Sequence, residues 1–481
     1  MIGVAALAAA ASFAIVTQDN AALRAAPKGD AALHAQLSAG DLIELRGQRQ
    51  DFMQVYDHRR ERAGYVRASQ VRAVTLNEAE APSLLAVVRF VRDTPGAEAL
   101  GIAYVAAYLK AAPAQAIDAE PFDALVVMAE RLAQRASMPA APKAATVALQ
   151  TVAQYGVRFT SFEGRGGALT LCYDGEAFRR VLAQAAAAEQ KARAALALTR
   201  ADCIDPATPA RERVALNAAR AELLDGFDAP SFARLPEPMK QRLRVRRAAV
   251  WAAVAFDRSR GGQAPQAAAQ RALGELAAVD KNELADDDSA DYTRAALRVG
   301  ASRWAALPGA APAARLSIRT QAGEQPGQTC VQLVDPKRGD DVVLARRCTW
   351  GMVWPASVRV LPDAKTAVLA VQPLEAWTEL WVFRAQRNGR WTIDVLPPAA
   401  SAGQTGIGYI EFAGFVPGQP KLLVAREAQV EGLTQRRFEV LKLDAGHVAE
   451  RSASEPRLLA AFSRWPDAAW KQGTISLRSE K

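Results

Sequence analysis

The sequence predicts a multidomain α+β chain with a small N-terminal β segment, a helical middle and an all-β C-terminal part. Three observations predict it. Between residues 14 and 75 apolar and polar residues alternate in short runs parted by Gly, Asp and Pro. Between 82 and 310 apolar residues recur three and four apart. From 312 to 481 the period returns to two. A length of 481 residues fits about two to four domains.

Residues 1–13 come first. "MIGVAALAAAASFA" is apolar, ends in small residues and is too short to span a bilayer. It matches the core and cleavage region of a secretory signal, although no Lys or Arg precedes it. A buried first strand is the other reading. A signal implies a periplasmic or otherwise extracytoplasmic protein, released by cleavage or retained by the uncleaved segment.

In 14–75 the runs "AIVT", "DLIELRG", "DFMQVYDH" and "AGYVRA" are predicted strands, too few for a sandwich and enough for a small barrel. Leu23, Arg24 and Pro27 stand in an opening step. Gly40, Leu42, Ile43 and Leu45 form a strand after a Gly-Asp turn. Phe52, Val55 and Tyr56 form an aromatic strand, and Gly64, Tyr65 and Val66 a Gly-aromatic-Val step. With these residues the segment resembles a bacterial Src-homology-3-like domain. It differs in having Phe52 and Tyr65 at tryptophan positions, Ala22 at an Asn and Ala26 at a Gly. The resemblance implies a β-barrel in which Gly64 lets two backbones approach, Tyr65 caps the core and Val66 begins the last strand. It also implies a module binding wall peptides or protein segments, with Arg24, Phe52, Tyr56 and Tyr65 as the binding residues.

The helical region, 82–310, is predicted from "PSLLAVVRFVRD", "EALGIAYVAAYLKAAP", "PFDALVVMAERLAQRA" and one long helix from Gly175 to Arg200. Thr208-Pro209 starts a helix and Gly226 stops it. "MKQRLRVRRAAVWAAVAFDRS" and "AAAQRALGELAAV" come next. Paired helices suggest a bundle or a repeat-like stack, without a recurring period. Residues 155–175 interrupt it as a β-hairpin turning at "GRGG".

Residues 312–481 carry runs such as "CVQLVD", "TAVLAVQP", "ELWVFRAQ" and "RRFEVLKLD", with a tight turn at Asn388-Gly389. These runs predict an all-β domain, and propeller and sandwich fit equally. Of the four cysteines, Cys330 pairs with Cys348 and Cys172 with Cys203 if each bonds its sequence neighbour. The first pair needs a hairpin folded at 337–340. The second needs the long helix to fold back or break.

The net charge of +9 favours acidic partners, although an arginine-rich composition alone also gives it. The densest basic run is Lys240, Arg242, Arg244, Arg246 and Arg247. It suits an anionic membrane, an anionic polymer or an acidic protein, or is a solvated helix face. Nucleic acid is not expected, because no aromatic residues interleave these charges. His34, His58 and His447 are scattered, which argues against a multi-histidine zinc site, and no cofactor is expected. No nucleophile elbow, Walker loop or dinucleotide fingerprint occurs. "GRGG" either cradles an anion or is a plain turn. "ADDDSAD" lacks the Gly and Glu of a calcium loop and is predicted to be a solvated loop, with Asp288 or Ser289 capping the next helix. The late tryptophans are predicted core, or an aromatic binding surface.

The expected function is binding or scaffolding in the bacterial envelope, with a cell-wall polymer or an envelope protein as partner and no catalysis. The competing expectation is a cell-wall hydrolase targeted by the barrel, with Glu163 or Asp174 as candidate carboxylates.

Overall fold

The computed structural model describes residues 12–140, 143–163, 169–307, 316–337, 342–362, 364–399, 406–430, 432–444 and 446–476. The chain folds as two compact units that divide between Thr208 and Pro209. The division falls inside the helical stretch 82–310. Of the signal-like segment 1–13, all but Ser12 and Phe13 lies outside the described residues, as does "GRGG".

The first unit opens with strands β1 (Ser12–Val16), β2 (Ala21–Arg24), β3 (Leu33–Leu37), β4 (Leu42–Arg49), β5 (Phe52–Asp57), β6 (Arg62–Arg67) and β7 (Val71–Val74). They form one seven-stranded sheet in the order β3-β2-β6-β5-β4-β1-β7, with every pairing antiparallel. No pairing joins the edge strands β3 and β7 among the described residues, so the sheet is not closed. Ala14, Val16, Leu23, Ile43, Val55 and Val66 build its core. Val66 therefore sits within β6 rather than opening the last strand, which is β7. Tyr65, next to it, points to the opposite face and does not cap this core. Gly64 is where β6 meets β2. A Cβ there would stand 2.7 Å from Leu23 Cδ1 and 2.8 Å from the Arg24 carbonyl oxygen, so only glycine fits without a shift.

The helices of this unit are α1 (Ala81–Val91), α2 (Glu98–Ala111), α3 (Glu120–Ala136), α4 (Lys143–Ala153), α5 (Glu176–Ala183) and α6 (Ala188–Leu198). The hairpin β8 (Phe159–Glu163) and β9 (Leu169–Tyr173) lies between α4 and α5. Pro82 and Pro121 stand in the first turns of α1 and α3, where their missing N–H costs no helical bond. Ile15 and Val74 of the sheet share one cluster with Leu84, Val88, Ile102, Val105, Met128, Leu132 and Val152. Sheet and helices thus have a common core. Glu98, fully buried, accepts from Arg131 at 2.8 Å and Arg135 at 2.5 Å. Pairing with two guanidiniums compensates the desolvated carboxylate. The helix expected from Gly175 to Arg200 is broken at 184–187. The break turns α6 back against α5 and brings Cys203 to Cys172, with 5.8 Å between their Cα atoms.

The second unit begins with α7 (Ala210–Asp225), α8 (Ala229–Ala233), α9 (Glu237–Arg260), α10 (Gln266–Ala277) and α11 (Asp286–Ser302). Val245, Ala248, Ala252, Ala272, Ala295 and Val299 form the seam between α9, α10 and α11. The acidic run is not a loop before a capped helix. Asp286, Asp287 and Asp288 are the first turn of α11, where carboxylates meet the positive end of the helix dipole.

Strands β10 (Ser317–Ala322), β11 (Thr329–Val334) and β12 (Val343–Thr349) form a three-stranded sheet. Cys330 and Cys348 face each other in register across β11 and β12 and are bonded. Most of the turn expected between them, 338–341, lies outside the described residues. The larger sheet comprises β13 (Met352–Val360), β14 (Thr366–Leu374), β15 (Trp377–Ala385), β16 (Trp391–Leu396), β17 (Ile407–Phe415), β18 (Lys421–Val430), β19 (Leu433–Lys442) and β20 (Ala449–Ala453). Gly389, at φ +78°, makes the expected tight turn between β15 and β16. Helices α12 (Ala460–Arg464) and α13 (Ala468–Gly473) come after the strands, so this part of the chain is not purely β.

Strands β14 and β17 are buried almost throughout because both faces of the large sheet are covered. Val331 and Leu333 of the small sheet pack on Leu369 and Phe383. Leu297 and Ala301 of α11 pack on Ile407 and Tyr409, and Phe462 and Trp470 pack on Phe438 and Val440. Trp354, Trp377, Trp381 and Trp470 are buried, whereas Trp350 is half exposed. No helix among the described residues is long and apolar enough to cross a membrane.

Candidate functional site

In β5 every second residue faces the same way, so Phe52, Gln54 and Tyr56 share a face opposite Met53 and Val55. Gln54 lies directly across from Tyr65, and Tyr65 directly across from Arg24. Directly opposed residues of an antiparallel pair project to one side. The register therefore brings the four expected binding residues Arg24, Phe52, Tyr56 and Tyr65 onto one face of the sheet.

Arginines stack on this face. Arg46 lies 4.1 Å from the centre of the Tyr56 ring and Arg67 5.3 Å from that of Phe52. His58 meets Tyr56 edge to face at 4.9 Å. Arg24 donates to the Ala31 carbonyl at 2.8 Å, which ties its guanidinium to the loop between β2 and β3. Phe52 is almost fully buried, while Tyr56 and Tyr65 are partly exposed and available for contact.

Toward β1 the same face runs into a cleft of about 330 Å³ beside the helices. Phe13, Leu42, His58 and Arg59 line it from the sheet side, and Lys110, Gln154 and Tyr155 from the helical side. The Tyr155 hydroxyl donates to the Gly40 carbonyl at 2.5 Å, and Gln154 donates to the same oxygen at 3.3 Å. Burial pushes the Tyr155 phenol well above its ordinary pKa. Hydrogen bonds from Arg46 and His58 hold the Glu44 carboxyl below its ordinary range. Local pattern could not reveal this cleft, because Lys110, Gln154 and Tyr155 reach His58 and Arg59 only through the fold.

The basic run on α9 is largely matched by carboxylates. Lys240 pairs with Glu237 at 3.1 Å, and Arg242 with Asp288 at 2.9 Å. Arg244 lies 4.0 Å from Glu237 and stacks on Phe232. Arg247 is buried, donates twice to the Leu224 carbonyl and lies 3.9 Å from both Asp225 and Glu275. Arg246 is half-buried on the same helix. The run is thus part of the internal ion pairing of the second unit.

Each histidine has its own partner. His34 Nδ1 lies 3.1 Å from the Ala63 carbonyl, His58 Nε2 2.8 Å from Glu44, and His447 Nε2 2.8 Å from Asp394. Among the described residues no group of three His, Cys, Asp or Glu side chains is placed to hold a metal. Asp174 is held by Arg158 at 3.2 Å and accepts from the Glu176 amide, while Glu163 is exposed at the end of β8. All four cysteines are in disulfides, which is compatible with an extracytoplasmic protein. No protein-family model, no curated protein and no solved structure matches this chain.

Proposed function

We propose that this is an exported bacterial envelope protein that binds rather than catalyses, with a Src-homology-3-like module at its N-terminus. On this reading the protein works in the periplasm or another extracytoplasmic space. Its ligand is a wall polymer or a segment of an envelope protein, held on the face bearing Arg24, Phe52, Tyr56 and Tyr65. The observation that carries it is the gathering of these four residues on one face, beside the stacked Arg46 and Arg67. Rigid aromatic rings flanked by guanidiniums lose little conformational entropy on binding and are frequent anchors at interfaces. The helices support the sheet through their common core and act as scaffold. In the second unit, the shared core between the three-stranded and eight-stranded sheets favours a sandwich over a propeller.

The test is retention of the full chain on purified peptidoglycan sacculi. The Tyr56→Ala/Tyr65→Ala double variant is expected to lose at least about fivefold in affinity, a modest effect for two aromatic anchors. Equal retention of variant and wild type would remove this face from the binding account.

A further inference from the structure

We infer that the cleft beside the aromatic face is a separate site for a small monoanion, the carboxylate end of a short peptide. Its size, lining and charge each limit the ligand. About 330 Å³ lies at the small end of ligand pockets and gives room for a dipeptide-sized molecule. Phe13 and Leu42 give an apolar wall suited to a small aliphatic side chain. Gln154 offers an amide, which can both donate to and accept from a peptide group.

The ion pairs behind the wall determine the charge. Asp41 takes Arg59 at 3.3 Å and Arg60 at 3.0 Å, and Arg60 also takes Asp57 at 2.6 Å. Two carboxylates thus balance two guanidiniums. Glu44 is balanced by Arg46 at 3.2 Å and accepts the His58 contact as well. Lys110, exposed in the last turn of α2, has no ion pair among the described residues. Among the described residues no carboxylate lines the cleft. One uncompensated ammonium matches a single negative charge, so a carboxylate suits the site better than a doubly charged phosphate. The Arg59 guanidinium, partly exposed at the rim, provides a second donor edge.

The experiment is calorimetric titration of the full chain with N-acetyl-alanyl-alanine, the same peptide amidated at its C-terminus, and methyl phosphate. The free acid is expected to bind. The amide and Lys110→Gln should each weaken binding about tenfold, the scale of one charge-assisted contact. Lys110→Arg should restore most of the affinity. Absence of binding by the free acid, equal binding of acid and amide, an unaffected Lys110→Gln, or methyl phosphate binding as tightly as the peptide would each overturn the inference. It goes beyond the wall-binding reading, and the two can fail separately. Lys110→Gln should keep sacculus retention, and Tyr65→Ala should keep peptide affinity.

Discussion

Removing the Cys172–Cys203 bond should destabilise the first unit and leave the second untouched, and the placement of the tryptophans makes this measurable. The bond joins residues 31 apart, and Cys330–Cys348 joins residues 18 apart. In the chain-entropy model such loops stabilise by about 3.7 and about 3.2 kcal/mol, mainly by restricting the unfolded chain. With a urea m-value of about 2–3 kcal/mol/M, each loss lowers a midpoint by about 1–2 M. All nine tryptophans lie after residue 250, within the second unit. Tryptophan fluorescence therefore reports that unit alone, whereas far-UV circular dichroism reports both. Cys172→Ala/Cys203→Ala should move an early circular-dichroism transition down while the fluorescence midpoint stays. Cys330→Ala/Cys348→Ala should do the reverse. A fluorescence shift of similar size in the Cys172 variant would refute the separation into units, and no shift in either signal would refute the loop-entropy reasoning.

Two further perturbations use the same signals. Gly64→Ala forces a Cβ against Leu23 and the Arg24 carbonyl, and should cost about 1–3 kcal/mol in the circular-dichroism transition only. An unchanged midpoint would mean that β2 and β6 separate easily there. Glu427 is buried in the second unit, and desolvation raises its pKa against the opposing pull of Arg436 at 3.1 Å. The folded carboxyl then holds its proton more tightly than the unfolded one. Its contribution to stability is present below the unfolded value of 4.5 and is lost as pH rises through the raised folded value. Fluorescence-detected stability should fall over that window, and Glu427→Gln should flatten part of the fall. An identical pH profile in the variant would exclude Glu427 as a source.

How far the fold was legible depended on whether its cause was local. The turn at Gly389 was readable because Asn388 and Gly389 set it between adjacent strands, whereas the close approach at Gly64, made to Leu23 and the Arg24 carbonyl far upstream in sequence, came only from the resemblance. The strands β14 and β17 stand in the β-rich runs "TAVLAVQP" and "GYIEFAGF". Nothing local told that both their faces are covered, since the covering residues belong to the small sheet and to α11. The break at 184–187 lies in a run of alanines, which favour helix and give no stop signal. The demand that Cys203 return to Cys172 was the better guide. The helix α4, with Thr146, Val147 and Thr151 in its middle, has too little helical character to stand out. The basic run on α9 looked like a free surface because its partners Asp225, Glu275 and Asp288 are distant in sequence. Of the candidate site, alternation along β5 placed Phe52 and Tyr56 together, the resemblance supplied Arg24 and Tyr65, and the cleft was not legible.

The two sides of the N-terminal sheet have different surroundings, and the register alone assigns them. One row runs across five strands through Val74, Phe13, Glu44, Tyr56 and Ala63. Val74 is buried under the helices, Phe13, Glu44 and Tyr56 are partly covered, and Ala63 is exposed. The helices thus cover one end of this face and leave the other open, and the cleft forms where their cover stops. In β1 the alternation is complete, with Ala14 and Val16 in the core of the sheet and Ile15 in the core shared with the helices. A slip of one residue in β1 would exchange these sets, placing Ala14 and Val16 under the helices. The segment 14–75 is therefore not separable from helices α1 to α4. Cutting it away would expose Leu84, Val88 and Ile102, and isolating it would expose Ile15 and Val74. A loss of binding after either cut would report damage to the common core as readily as loss of a ligand contact. Point substitutions at the partly exposed Tyr56 and Tyr65 and the exposed Lys110 avoid that ambiguity, because they leave this core intact.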